Sequence, residues 1–170
     1  MMKAQVGCSI KTVLCEQFGL SPDYLEKRVQ TVFLDGKPVD DFDSAIVNSG
    51  SILALSAAMP GLVGAILRRG GRYAPMRDQI SHKGETGSTS LQEGMISLKL
   101  FNILLKELGP PFLKRGIWVN GKDLEDFIKR QSDHFWEGCK AAHVDGEKID
   151  LGKLPQIEWP DQQVYLQAGN

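Results

Sequence analysis

The sequence predicts an α+β protein made of two related small α/β units, and three observations lead there. Segments with helical spacing of apolar residues alternate with short apolar runs bounded by Xaa-Gly turns. The order of these segments recurs: "SIKTVLCEQFG", "LEKRVQTVFLDGKPVDDF" and "SILALSAA" align with "SLKLFNILLKELG", "FLKRGIWVNGKDLEDF" and "QVYLQAGN". Between the two sets lies "GGRYAPMRDQISHKGETGSTSLQEG", polar, rich in Gly and Ser, and without a long apolar run. The expected organisation is a first unit at 1–71, a connector at 72–94 and a second unit at 95–170, an internal duplication.

The elements follow from local chemistry. Ser9 can cap a helix over 10–18, with Val13, Leu14 and Phe18 as its apolar stripe and Gly19 as its stop. "SPDYLEKR" opens on a Ser-Pro cap signal and reads as a second short helix. Val29, Thr31, Val32, Phe33 and Leu34 favour a strand, and Asp35-Gly36 turns it back into Pro38-Val39. "SGSILALSAAM" is a further apolar strand after the Ser49-Gly50 turn. "MPGLVGAILRRGG" then reads as a helix with Pro60 in its first turn, its apolar face formed by Leu62, Val63, Ile66 and Leu67. In the second unit, "MISLKLFNILLKELG" is a short strand or helix entry and then a helix ending at Gly109. Ile117 to Val119 make a strand, Asn120-Gly121 a turn, and an acidic helix start follows. "QSDHFWEGCKAAHVDG" reads as one more helix closed by Asp145-Gly146, and "QVYLQA" as the last strand.

Composition narrows the class. The 170 residues are 42% hydrophobic and 24% charged, with a net charge of −1, as in a globular chain. Such a balance leaves no general basic field, so nucleic acid is not an expected partner. No stretch has the length of a membrane span, so no membrane association is expected, and the interrupted apolar residues of the first twenty do not form a signal peptide. Three cysteines, Cys8, Cys15 and Cys139, show no CxxC spacing, and a reducing cytoplasm is the expected compartment.

The order helix, strand with "DGKPV", then "GSILALSAA" resembles the β-grasp (ubiquitin-like) fold, and within it the small sulfur-carrier proteins. The matching residues are 32–39 and 49–57, with "WVNGKDL" (118–124) as a second copy. The resemblance implies two β-grasp-like units. Sulfur carriers are loaded at a terminal Gly-Gly, whereas this sequence ends in "LQAGN" and carries Gly70-Gly71 internally. The initial β-hairpin of a β-grasp fold also has little room before the first helix, so the first unit would have to borrow a strand from elsewhere.

Candidate sites follow. Gly61, Gly64, Ala65 and Arg68 would form a small-residue helix face, and a helix start after a strand offers N–H groups to an anion. Arg68, Arg69, Arg72 and Arg77 add a basic cluster with Tyr73 beside it. The candidate ligand-binding residues are therefore Gly61, Gly64, Arg68, Arg69, Arg72 and Arg77, with a small anionic ligand or a protein as partner. The same arginines also suit a helix C-terminus for structural reasons alone. Cys139 and His143, four apart, would share a helix face as a reactive pair, although a metal needs more ligands than these two. The acidic groups Asp40-Asp41-Asp43 and Asp123-Glu125-Asp126 fit helix starts, and Trp118, Trp136 and Trp159 fit a core or an interface. No catalytic residue, metal site or cofactor is assigned. The expected function is a non-catalytic binding or protein-interaction module acting at 61–77. The alternatives are a sulfur-carrier relative without its tail chemistry, and a small enzyme acting on a phosphate or carboxylate substrate.

Overall fold

Met2, Ala4 and Val6 are buried while Lys3 and Gln5 are exposed, the two-residue period of a half-buried strand, and these residues form β1 (Met2–Val6). The computed structural model describes residues 1–84 and 90–169 of the chain. After the short β2 (Cys8–Ser9), residues Thr12–Gln17 wind as a π-helical segment that buries Val13 and Leu14. Ser21 caps α1 (Pro22–Arg28), its side chain accepting from the Tyr24 amide at 3.1 Å.

Next come β3 (Thr31–Leu34) and β4 (Lys37–Pro38), joined by Asp35 and Gly36, which both take left-handed φ as a tight hairpin turn demands. The Asp35 carboxylate accepts from the Ser51 hydroxyl and the Ile52 amide, tying this turn to the next strand. β5 (Ile46–Val47) pairs with β2, and β6 (Ile52–Ser56) leads to α2 (Gly61–Leu67) and a 3-10 turn at Ala74–Arg77. The strand β7 (Gln92–Phe101) is the longest.

One sheet has the order β1-β7-β6-β3-β4. Only the central β6–β7 pair is parallel, Ile52 opposite Ser97, and the others are antiparallel. Leu34, Leu53, Leu55 and Ile96 from this sheet are fully buried, as are Ile10, Val13 and Leu14 from the π-helical region.

The chain divides into two compact units, Met2–Lys106 and Glu107–Asn170 together with Met1. The division falls later than the expected connector at 72–94, because residues 92–101 pair on both sides within the first sheet. Residues 85–89 of that connector lie outside the described residues.

The helix α3 (Ile103–Arg115) runs through Gly109, Pro110 and Pro111, where the sequence suggested a stop. Its end comes at Gly116, whose φ of +112° and amide bond to the Phe112 carbonyl make the C-terminal cap. β8 (Ile117–Asn120) follows, and Asn120 caps α4 (Gly121–Lys129), its side chain accepting from the amides of Lys122 and Asp123. Asn120-Gly121 thus starts a helix, whereas its counterpart Asp35-Gly36 turns a hairpin. β9 (Ala141–Val144), β10 (Glu147–Ile149) and β11 (Gln163–Gly169) complete an antiparallel sheet of order β10-β9-β11-β8. Leu124, Ile128, Val144, Leu154, Trp159 and Val164 form the core of this unit. Among the described residues, no helix is long and apolar enough to cross a membrane. The architecture is α+β, with one mixed and one antiparallel principal sheet.

Candidate functional site

The arginine segment comes first, because the sequence pointed there. In α2 the expected apolar face is split, with Ile66 and Leu67 half-buried. Leu62 and Val63 are each 65% exposed, while Gly64 is buried. A Cβ on Gly64 would lie far inside van der Waals contact of the Met59 carbonyl oxygen, so only glycine lets the helix fold back on the preceding chain. Gly61 supplies the turn into the helix with a φ of +77°. Of the expected small-residue face, Gly64 is thus an internal contact, Ala65 is half-buried, and Gly61 and Arg68 are exposed.

The arginines are engaged one by one. Arg68 donates from its Nε and Nη2 to the Gln30 side-chain oxygen, while its amide caps α2 on the Gly64 carbonyl. Arg69 lies over the Phe42 ring at 4.4 Å and pairs with Glu26 at 2.6 Å, its amide donating to the Gln30 carbonyl. Arg77 is the most buried, with 1% of its side chain exposed. Its two terminal nitrogens bond both Asp40 carboxylate oxygens at 2.9 and 2.7 Å, and its Nε donates to the Ile66 carbonyl at 2.9 Å. Ser81 accepts a further bond at 2.6 Å, and Asp40 also accepts from the Gly70 amide. Arg72 is exposed. Three of the four arginines therefore fasten 61–77 to residues 26–42 of the same unit.

The second pairing also changes. Gly138 ends a 3-10 turn at Asp133–Gly138, and Ala141–Val144 is a strand held between β10 and β11. The four-residue spacing of Cys139 and His143 therefore does not place them on a helix face. Cys139 donates to the Ala141 carbonyl at 3.5 Å, and His143 lies opposite Lys148 and Gln167. Among the described residues, no group of three or more His, Cys, Asp or Glu is placed to hold a metal. In the first unit Asp43 pairs with Lys11, and the Ser44 hydroxyl with other local donors holds the Asp41 carboxyl below its ordinary range. Of the tryptophans, Trp159 is core and Trp118 meets Tyr165 in a tilted contact, ring centroids 5.2 Å apart and planes at 46°. The side chain of Trp136 lies outside the described residues.

The feature that the sequence did not disclose is an apolar cavity of about 1020 Å³ within the Glu107–Asn170 unit. Leu113 of α3, Ile117 and Val119 of β8, and Leu124, Phe127 and Ile128 of α4 form much of its wall. Leu154, Trp159, Leu166 and Cys139 also line it, and Lys114 and Asp123 are its charged lining residues. Phe127 and Phe135 meet edge to face at 5.6 Å, and both leave much of their surface exposed.

The placement of Trp159 has a clear cause. Glu125, on the buried side of α4, accepts from Lys129 and Lys122 and also from the Trp159 backbone amide at 3.4 Å. These bonds, led by the one from Lys129, hold its carboxyl down at about 2. At the start of the same helix the Gly121 amide donates to the Gln162 carbonyl, and a Cβ there would collide with the Pro160 carbonyl oxygen. The loop carrying Trp159 is thereby pressed against α4. Trp159 is 4% exposed, and its indole N–H has no hydrogen-bond partner. A sequence signal did exist in "IEWPDQQ", an aromatic-proline pair read only as core or interface.

Comparison of the chain with models of protein families, with curated proteins and with solved structures finds no match.

Proposed function

We propose that the protein is a non-catalytic binding module whose ligand site is the apolar cavity of the Glu107–Asn170 unit. One observation carries this reading: the cavity reaches the core, because Leu124, Ile128, Leu154 and Trp159 belong to both. A unit this small has little apolar area to spare, so an occupant would complete its packing. The size and the scarcity of polar groups match what small-molecule sites require. In this reading the segment 61–77 is scaffold. Arg68, Arg69 and Arg77 bind the protein to itself, and the Cys139 thiol donates to the Ala141 carbonyl.

The Met2–Lys106 unit is read as β-grasp-like. Support comes from α1, the β3–β4 hairpin and β6 in the order that the resemblance implies, and from the antiparallel pair of β1 with β7, which takes the place of the opening hairpin. The borrowed strand would then be β7. For a duplication, the supporting fact is that β3 with β6 and β8 with β11 are both antiparallel pairs. A carrier ancestry without tail chemistry fits the Gly70 amide, which is tied to Asp40.

Titration with anilinonaphthalene sulfonate tests the binding reading. Saturable binding at one site, with a rise in thermal stability, is the expected result, since a ligand at a hundred times its Kd adds about 2.7 kcal/mol. Stabilisation by phosphate that vanishes when Arg68 and Arg72 are replaced would return the site to 61–77. Absence of saturable binding would remove the cavity reading.

A further inference from the structure

We infer that the occupant of this cavity is an elongated hydrocarbon molecule charged at both ends, its anionic end beside Lys114 and its cationic end beside Asp123. The inference rests on the cavity being a ligand site and adds the chemistry of the ligand. One face of the antiparallel sheet forms the floor. Ile117 and Val119 of β8, Leu166 and Ala168 of β11, and Ala142 of β9 share that face, with Ile117 opposite Leu166 and Ala142 opposite Ala168. Along β11 the floor has two ends, Gln163 opposite Asn120 and Gly169 opposite Ala141. The strand Gln163–Gly169 spans roughly 20 Å between them.

The two ends differ in charge. Lys114 lies beside Gly169, its Cβ 3.9 Å from the point where a side chain on Gly169 would begin, and the Lys140 amide donates to the Gly169 carbonyl. At the other end Asp123 stands in the first turn of α4, and the Asn120 side chain donates to the Asp161 carboxylate at 3.0 Å. Lys122 offers no balancing cation there, because Glu125 takes it. Lys114 and Asp123 line the cavity and are exposed, and among the described residues neither charge has a partner. Each suits its own helix end, which holds the two charges at the rim. Leu124, Ile128, Leu154 and Leu166 reward only apolar surface, and polar groups along the body would lose their water here without replacement bonds. A hydrocarbon body with a carboxylate at one end and an ammonium at the other meets these conditions.

The test on the full chain uses ω-aminododecanoate, its methyl ester and its N-acetyl derivative, the last two each lacking one charge, all below their micelle concentrations. Both charged contacts stay open to water, so each should be worth about threefold in affinity at low salt. Lys114→Met should therefore cost about threefold for the probes that carry the carboxylate and nothing for the ester. Asp123→Asn should cost the same for the probes that carry the amine and nothing for the acetylated one. Raised ionic strength should erase both differences. Lys114 and Asp123 are exposed, so both variants are expected to keep the fold. Saturable binding of all three probes with neither coupling, with only one, or with the two exchanged would overturn the inference and leave the cavity reading standing. Failure of every probe to bind would overturn the two together.

Discussion

Replacing Arg77 by methionine keeps most of the side-chain volume and removes the guanidinium. The structure sets the size of the effect. Lost are two charge-assisted bonds to Asp40, one bond to the Ile66 carbonyl and one to Ser81. Removing one partner of a fully buried ion pair costs roughly 3–5 kcal/mol. Asp40, however, is 42% exposed on its side chain, so its carboxylate regains water when the partner goes. The Ile66 carbonyl has less recourse, and an unmet buried acceptor costs about 1–3 kcal/mol. The expected loss is therefore about 2–3 kcal/mol, near 10–20 °C in the midpoint of a unit of this size. The assay is native-state hydrogen exchange across a urea series, read at the buried Leu53 and Leu55 of β6. The exposed Arg72→Met is the control and should stay within about 0.5 kcal/mol. Equal small effects from the two replacements would refute the scaffold role of the segment and reopen it as a site.

The Glu125 carboxyl is held at about 2 against an ordinary 4.5, so its contribution is present above the unfolded value and fades as pH falls from about 4.5 towards 2. Glu125→Gln should flatten that acid limb, measured by tryptophan fluorescence in acid titration, and an unchanged limb would count against the Lys129 and Lys122 bonds. Gly64→Ala places a methyl group against the Met59 carbonyl and should destabilise by about 1–3 kcal/mol in urea denaturation, the range for overpacking. Asn120→Ala removes the cap of α4 and should cost about 1 kcal/mol in the same assay.

What could be read in the sequence was local. Ser21 before Pro22 announced α1, Asp35-Gly36 and Asp145-Gly146 announced their turns, and "SILALS" announced β6. What could not be read depended on distant partners. "KAAHV" contains helix formers, yet the strands at 147–149 and 163–169 draw residues 141–144 into a sheet. Asn120-Gly121-Lys122 and Asp35-Gly36-Lys37 look alike, and only the second is followed by a residue that can pair back in register. The destinations of Arg68, Arg69 and Arg77 were set by Gln30, Glu26 and Asp40, some 37 to 43 residues upstream. The cavity was hidden for the same reason. Its walls come from α3, β8, α4 and β11, which no short window contains.

The most direct test follows the methyl groups of Leu124, Ile128, Leu154 and Leu166 by nuclear magnetic resonance while ethylnaphthalene is added. Saturable shifts at these four residues, with the amides of 61–77 unmoved, are predicted. Shifts confined to 61–77, or none at the four methyl-bearing residues, would contradict the account.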